Sequence, residues 1–307
     1  MRGTPEESPP PTSREAAPAT TSAPPSRPRS RRARLRRLTL HLFVFYAVIC
    51  IALFALQRRI QYPRDPAPVA LPAAAADRGV REVPLTTSDG LTLTAWFHPL
   101  STSNLDPTAP LIVFFPGNGG NRGWRYGYAQ MLRAQGASIL QVEYRGYGGN
   151  PGTPTEEGLY RDADAAISWA RAHSTGKVIA LGESLGTGVA VEMAARHSLD
   201  GLIIHAGYTS TVDVGGAQFW FLPVGWLMHD RFESVEKIGA IPCPKLFFHG
   251  KQDRVIPIRF GEQLFRTASE PKEWIAIAGA GHNDLWIVDL SRYFSKLREF
   301  VAAVTEE

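Results

Sequence analysis

Six short apolar runs, continuous rather than alternating, constrain this chain more than any other feature: 111–115, 138–144, 177–181, 201–205, 245–249 and 274–277. An antiparallel sheet with one wet face reads as alternation, whereas a strand covered on both faces reads as an unbroken run. Between the runs lie stretches of helical character, 123–135, 155–173, 185–197, 258–268 and 285–304. Thr153-Pro154-Thr155-Glu156 supplies a capping-box signal for the second of these. Strand and helix alternating at this spacing predict an α/β fold, a mostly parallel sheet with helices on both faces. Ahead of the series, 83–87 and 91–98 flank the turn residues Ser88-Asp89-Gly90 and predict an antiparallel hairpin. Only 207–240 breaks the alternation; its dense cluster at 219–232, interrupted by Pro223 and Gly225, reads as a small cap inserted between strands.

The N-terminal quarter is a different object. Of 307 residues with a formal net charge of +4, residues 1–37 hold nine arginines against three acids, a net of +6. The remainder, with 24 basic and 26 acidic residues, sums to −2. A nucleic-acid reading of the charge therefore fails for the folded part, and the tail arginines suit anionic lipid head groups. Residues 1–30 have almost no large apolar side chains and are expected to be disordered. Residues 38–57 carry twelve Leu, Ile, Phe and Val, and 42–56 is free of charge. Twenty such residues span the ~30 Å hydrocarbon core. A buried core helix has no domain beside it here, and small residues suited to signal cleavage are poorly placed. A twin-arginine signal around Ser30-Arg31-Arg32 is the minor alternative. With seven arginines between Arg27 and Arg37 upstream and Arg58-Arg59 downstream, the N-terminus is expected in the cytoplasm and the rest exported. The expected organisation is a tail 1–37, a membrane helix 38–57, a linker 58–80 and a domain 81–307. Cys50 falls in the span and Cys243 is alone beyond it, so no disulfide is available to the domain.

The chemistry concentrates at Gly182-Glu183-Ser184-Leu185-Gly186, which follows an apolar run and opens a helical one. A nucleophile elbow needs this context: glycines let a strand turn sharply into a helix and hold the serine hydroxyl at the helix N-terminus. A serine needs a base, and the base an orienting carboxylate, in the chain order Ser, Asp, His. Of eight histidines, His282 lies in the loop Ala278-Gly279-Ala280-Gly281-His282-Asn283-Asp284 after the last run. His205 and His249 sit within or at the ends of runs, where a structural role fits better. Asp253, in Gly250-Lys251-Gln252-Asp253, follows the preceding run; Asp230, Asp213 and Asp284 are rivals. Two backbone N–H donors should meet the oxyanion, one from Leu185 and one from the loop Pro116-Gly117-Asn118-Gly119-Gly120-Asn121, at Asn118. Tyr147, Trp220, Phe221, Trp226 and Met228 are expected to wall an acyl pocket. No cofactor and no metal are called for.

From about residue 80 onward the chain resembles the α/β-hydrolases, in particular the membrane-anchored, lysophospholipase-like and serine-aminopeptidase-like group whose relatives include protein depalmitoylases. The motifs PGNGGN (116–121), EYRGYGGNPGTPTE (143–156), GESLG (182–186), GKQDRVIP (250–257) and GAGHND (279–284) carry the resemblance. It implies Ser184, Asp253 and His282 as a triad, and an ester or thioester of an acyl group as substrate. A peptidase or amidase of the same fold, and an inactive membrane-tethered binding module, are the alternatives.

Overall fold

A computed structural model describes residues 1, 3, 31–101 and 106–306. The disorder expected for 1–30 therefore lies, apart from residues 1 and 3, outside the described residues. The chain divides into two compact units, Met1–Val48 and Ile49–Glu307.

One uninterrupted helix, Arg31–Gln61, carries the apolar stretch and is the only described helix long and apolar enough to cross a membrane. It contains no buried residue, and Phe43, Phe45 and Ile51 expose about two thirds of their surface. A helix apolar on all sides with no buried residue has the length and composition to cross a membrane. It also runs four residues past the end read from hydropathy, because Arg58, Arg59 and Gln61 are good helix formers that bring polarity without a break.

The second unit is built on an eight-stranded sheet: β1 Arg81–Thr86, β2 Thr92–His98, β3 Leu111–Phe115, β4 Ser138–Gln141, β5 Val178–Glu183, β6 Gly201–His205, β7 Lys245–Gly250 and β8 Lys272–Ile277. Their order is β1-β2-β4-β3-β5-β6-β7-β8. The hairpin and the β2–β4 pairing are antiparallel, and every pairing from β4 to β8 is parallel. Strands β3, β4, β6 and β7 are buried at every position, as unbroken apolar runs require. The edge strand β8 is covered only in part, with Glu273 facing water. At Gly90 the hairpin turn takes φ +84°, open to glycine alone without strain.

Helix Glu156–His173 starts two residues later than a cap at Thr153 would place it. Thr155 is the N-cap, its hydroxyl accepting from the Gly158 N–H at 3.0 Å. Glu156 is thereby released from a capping box and accepts from the N–H groups of Arg231 and Phe232, tying the cap to the sheet layer. The C-terminal helical stretch is two pieces, Leu285–Val288 and Leu290–Glu306, broken at Asp289.

The segment expected to be a linker is packed. Tyr62, Ala75 and Val80 are buried, Pro68 lies against Gly149, and the Gly148 and Gly149 N–H groups donate to the carbonyls of Asp65 and Pro66. Proline fixes the chain extended at little entropic cost, so a Pro-rich strap can be immobilised cheaply where it finds hydrogen-bond partners.

Candidate active site

The elbow forms at the C-terminal end of β5, between β3 and β6, where the order of connections reverses and the strand ends diverge into a crevice. Ser184 has φ +50°, a strained value for a residue with a side chain. The flanking glycines make it possible. A Cβ on Gly186 would lie 2.1 Å from the Phe115 carbonyl oxygen, and one on Gly182 would lie 2.4 Å from the Gly186 carbonyl oxygen. The helix Gly186–Arg196 begins immediately after, aiming its free N–H end at the serine.

His282 and Asp253 arrive on the loops after β8 and β7. The two loops pack so closely that a Cβ on Gly250 would lie 2.2 Å from the Gly281 carbonyl oxygen. His282 Nε2 is 2.9 Å from Ser184 Oγ, and His282 Nδ1 is 2.7 Å from Asp253 Oδ2. The other carboxylate oxygen of Asp253 accepts from the N–H groups of Val255 and Ile256, each at 2.8 Å. Burial alone would raise the Asp253 pKa; the hydrogen bond and charge of His282, with the Ile256 N–H, outweigh it and hold the carboxyl below its ordinary value. The rival acids are employed elsewhere. Asp284 accepts from the Gly281 N–H and shapes the histidine loop, Asp213 pairs with Thr209, and Asp230 binds Arg58.

The loop 116–121 lies against the serine: a Cβ on Gly117 would be 3.3 Å from Ser184 Cβ. Four groups fix it. Tyr144 and Tyr147 donate their hydroxyls to the carbonyls of Pro116 and Asn118, Arg125 donates to the Gly119 carbonyl at 2.7 Å, and the Asn118 side chain donates to the Gln61 carbonyl at 2.9 Å. Arg125 is itself anchored by Glu183 at 2.8 Å. Burial opposes ionisation of Glu183, but the charge of Arg125, the electrostatic effect of His205 and hydrogen bonds from Arg125 and the Gly117 N–H keep its pKa below the ordinary value. Arg145, by contrast, is spent on Asp89 and Asp162 and only stiffens the neighbouring loop.

Beside Ser184 opens a cavity of about 280 Å³. Asn118, Leu185, Tyr208, Val214, Leu222, Leu227, Met228 and Ile256 are among its walls, and none of its lining residues is charged. Of the five side chains expected there, only Met228 contributes. Tyr147 is buried behind the Asn118 loop, while Trp220, Phe221 and Trp226 are 82%, 53% and 92% exposed. Pro223 and the short helix Val224–Leu227 turn the cap so that Leu222, Leu227 and Met228 face inward and the bulkier rings face out. Composition could not tell those two faces apart.

Two contributors escaped the sequence reading. Arg125 stands 58 residues before Glu183 without a signature spacing. Leu53, Phe54, Gln57, Ile60 and Gln61, from the last turns of the long helix, form another wall of the cavity. Leu53, Gln57 and Gln61 stand four residues apart, and polar glutamines on one stripe of an apolar helix were the signal available.

Residues 112–236 match the model of the alpha/beta hydrolase family. The chain is 33% identical over 256 residues to protein Rv2307c of Mycobacterium tuberculosis, covering 82% of this chain and 90% of that protein. This chain belongs to the α/β-hydrolase superfamily. It is also 30% identical to YfhR of Escherichia coli over 66% of this chain and 73% of that one. The alpha/beta hydrolase domain-containing protein 17B of Xenopus laevis is 34% identical over 54% of this chain and 56% of its own length. Among solved structures, this α/β-hydrolase superimposes on a Pyrococcus furiosus esterase with a TM-score of 0.65 at 15% identity, over 79% of this chain and 98% of that one. An acetyl xylan esterase from Paenibacillus matches with a TM-score of 0.60 at 17% identity, over 73% and 83%.

Proposed function

We propose that this protein is a membrane-anchored serine hydrolase that cleaves acyl esters or thioesters through a covalent acyl-enzyme. The observation that carries the reading is the relay Ser184 Oγ, His282 Nε2 and Nδ1, Asp253, opening on an uncharged cavity. Ser184 Oγ attacks the acyl carbonyl while His282 Nε2 takes its proton; Asp253 orients the ring and stabilises the imidazolium. The oxyanion is met by the N–H groups of Leu185 and Asn118, both at the cavity wall. His282 then returns the proton to the departing alcohol or thiol, and water, deprotonated by the same histidine, releases the acid. The esterase names of the structural neighbours agree with this bond type.

A peptidase reading is weaker, because an aminopeptidase must hold an ammonium group and no cavity-lining residue carries a charge. An inert binding module would have no need of a strained serine held in hydrogen-bonding register with a histidine–aspartate pair. The long apolar helix serves as the anchor, with the arginine-rich tail in the cytoplasm against anionic lipid and the hydrolase domain on the far side. No nucleic acid is expected as a partner.

A fluorophosphonate probe should label the wild type and not Ser184→Ala, with the circular dichroism of the two superimposable. Equal labelling of both would overturn the nucleophile assignment. A p-nitrophenyl ester series set against the matching anilides should favour the esters.

A further inference from the structure

The outward aromatics of the cap are unexplained by the chemistry at Ser184. Trp220, Phe221 and Trp226 present large exposed rings on a segment of seven residues. A solvated surface gains nothing from such rings, and patches of this kind mark contacts.

What they contact follows from where the cap is fastened. Gln57 Nε2 donates to the Leu227 carbonyl at 3.0 Å, and Gln57 Oε1 accepts from the His229 N–H at 2.8 Å. The His229 ring lies 4.6 Å from that of Phe54, and Arg58 donates twice to the Asp230 carboxylate, at 2.9 and 3.2 Å. Gln57 is where the charge-free stretch 42–56 ends. At 1.5 Å per residue the twenty residues 38–57 rise about 30 Å, the thickness of the hydrocarbon core, so the end of the span, and the cap segment bonded to it, lie at the depth of the head groups. At that depth the amphipathic rings of tryptophan are favoured. The same level is reached by the cavity: Leu53 and Phe54 line it from within the apolar stretch, and Leu222, Leu227 and Met228 line it from the cap.

We propose that the cap segment 219–228 sits in the membrane interface beside the anchor helix, and that the cavity accepts the acyl chain of a lipid ester still resident in that leaflet. The inference rests on the acyl-ester reading of the Ser184 site and names its substrate class. The anchor then does more than tether. Leu53 and Phe54 become specificity-determining residues, the Gln61 carbonyl positions the Asn118 loop, and an enzyme cleaved from its helix would lose one wall of its pocket. The chain reaches Ser184 without leaving an apolar environment, which removes the cost of drawing a long acyl group through water.

The full chain is reconstituted in phosphatidylcholine vesicles and assayed with 4-methylumbelliferyl palmitate dissolved in the bilayer and with water-soluble 4-methylumbelliferyl acetate. For the double variant Trp220→Ser/Trp226→Ser, the palmitate-to-acetate rate ratio should fall at least tenfold. Phosphatidylcholine brominated on its acyl chains should quench a smaller share of tryptophan emission in that variant than in wild type. Leu53→Trp, which fills the cavity from the helix side, should lower the same ratio at least tenfold. A ratio within twofold of wild type in both variants, or tryptophan emission at 220 and 226 insensitive to the brominated lipid, overturns the proposal; the second result would assign the patch to water or to a protein partner. Quenching reads membrane seating without any turnover. Acetate hydrolysis surviving in Ser184→Ala would therefore bring down the serine-hydrolase reading, and the substrate class with it, by a separate measurement.

Discussion

Replacing Asp253 by asparagine isolates one proton. In the wild type, one carboxylate oxygen receives the Val255 and Ile256 N–H groups and the other receives His282 Nδ1–H at 2.7 Å. An asparagine in the same place must keep its carbonyl toward the two backbone donors, because its NH₂ group cannot accept from them. The NH₂ is therefore forced toward His282 Nδ1, which can meet it only as an acceptor. The ring proton moves to Nε2, where it points at Ser184 Oγ across 2.9 Å, and the base is occupied before the reaction starts. Loss of this tautomer in a serine triad costs about 10⁴-fold in kcat, close to 5.4 kcal/mol of transition-state stabilisation. The cavity is untouched, so KM should move less than threefold. Asparagine has nearly the shape of aspartate, so thermal unfolding should shift by only a few degrees. Steady-state hydrolysis of a soluble ester, with a melting curve on the same sample, decides the matter. A folded Asp253→Asn variant retaining more than a tenth of wild-type kcat would refute the assigned relay.

Other substitutions probe the supports of the site. Gly186→Ala drives a methyl group into the Phe115 carbonyl, a clash with backbone that can only be relieved by moving the elbow helix from β3; about 1–3 kcal/mol and about 4–10 °C in Tm should be lost, with little fluorophosphonate labelling remaining. Arg125→Met frees the Gly119 carbonyl and leaves Glu183 without its cation, so kcat should fall about 10- to 100-fold with KM nearly constant, and Arg125→Lys, whose single nitrogen cannot reproduce the two-nitrogen fork to both partners, should restore only part. A proportional loss in kcat and Tm, with KM rising, would instead mark Arg125 as structural. Burial holds the His98 pKa down to about 4, so its contribution is present above pH 6.5 and is lost as pH falls through 4. His98→Gln should accordingly gain on the order of 3 kcal/mol relative to wild type between pH 7 and pH 4 in urea titrations. Glu143, raised by burial to about 7, works in the opposite sense, its contribution being lost as pH rises from the ordinary carboxylate range to 7, and Glu143→Gln should gain relative to wild type on going from acid to neutral pH.

The amino-acid sequence by itself determined the class of fold and the candidate triad. Unbroken apolar runs such as 111–115 and 201–205 became fully buried strands because a run without polar residues has no face to give to water. The elbow, Asp253 and His282 were legible because local backbone demands are written in glycines at fixed offsets, and because chain order ranks the loops at the strand ends. Only the tertiary structure decided what surrounds them. Whether Trp226 faces a pocket or the outside depends on which way Pro223 turns a short helix, and every residue of that cluster has the same hydrophobicity whichever side it takes. Nor does spacing in the chain carry the pairing of Gln57 with Leu227 or of Arg58 with Asp230, which close over 170 and 172 residues. Hydropathy marks where an apolar helix ends; the hydrogen bonds made there determine that its end is a wall of the cavity beside Ser184.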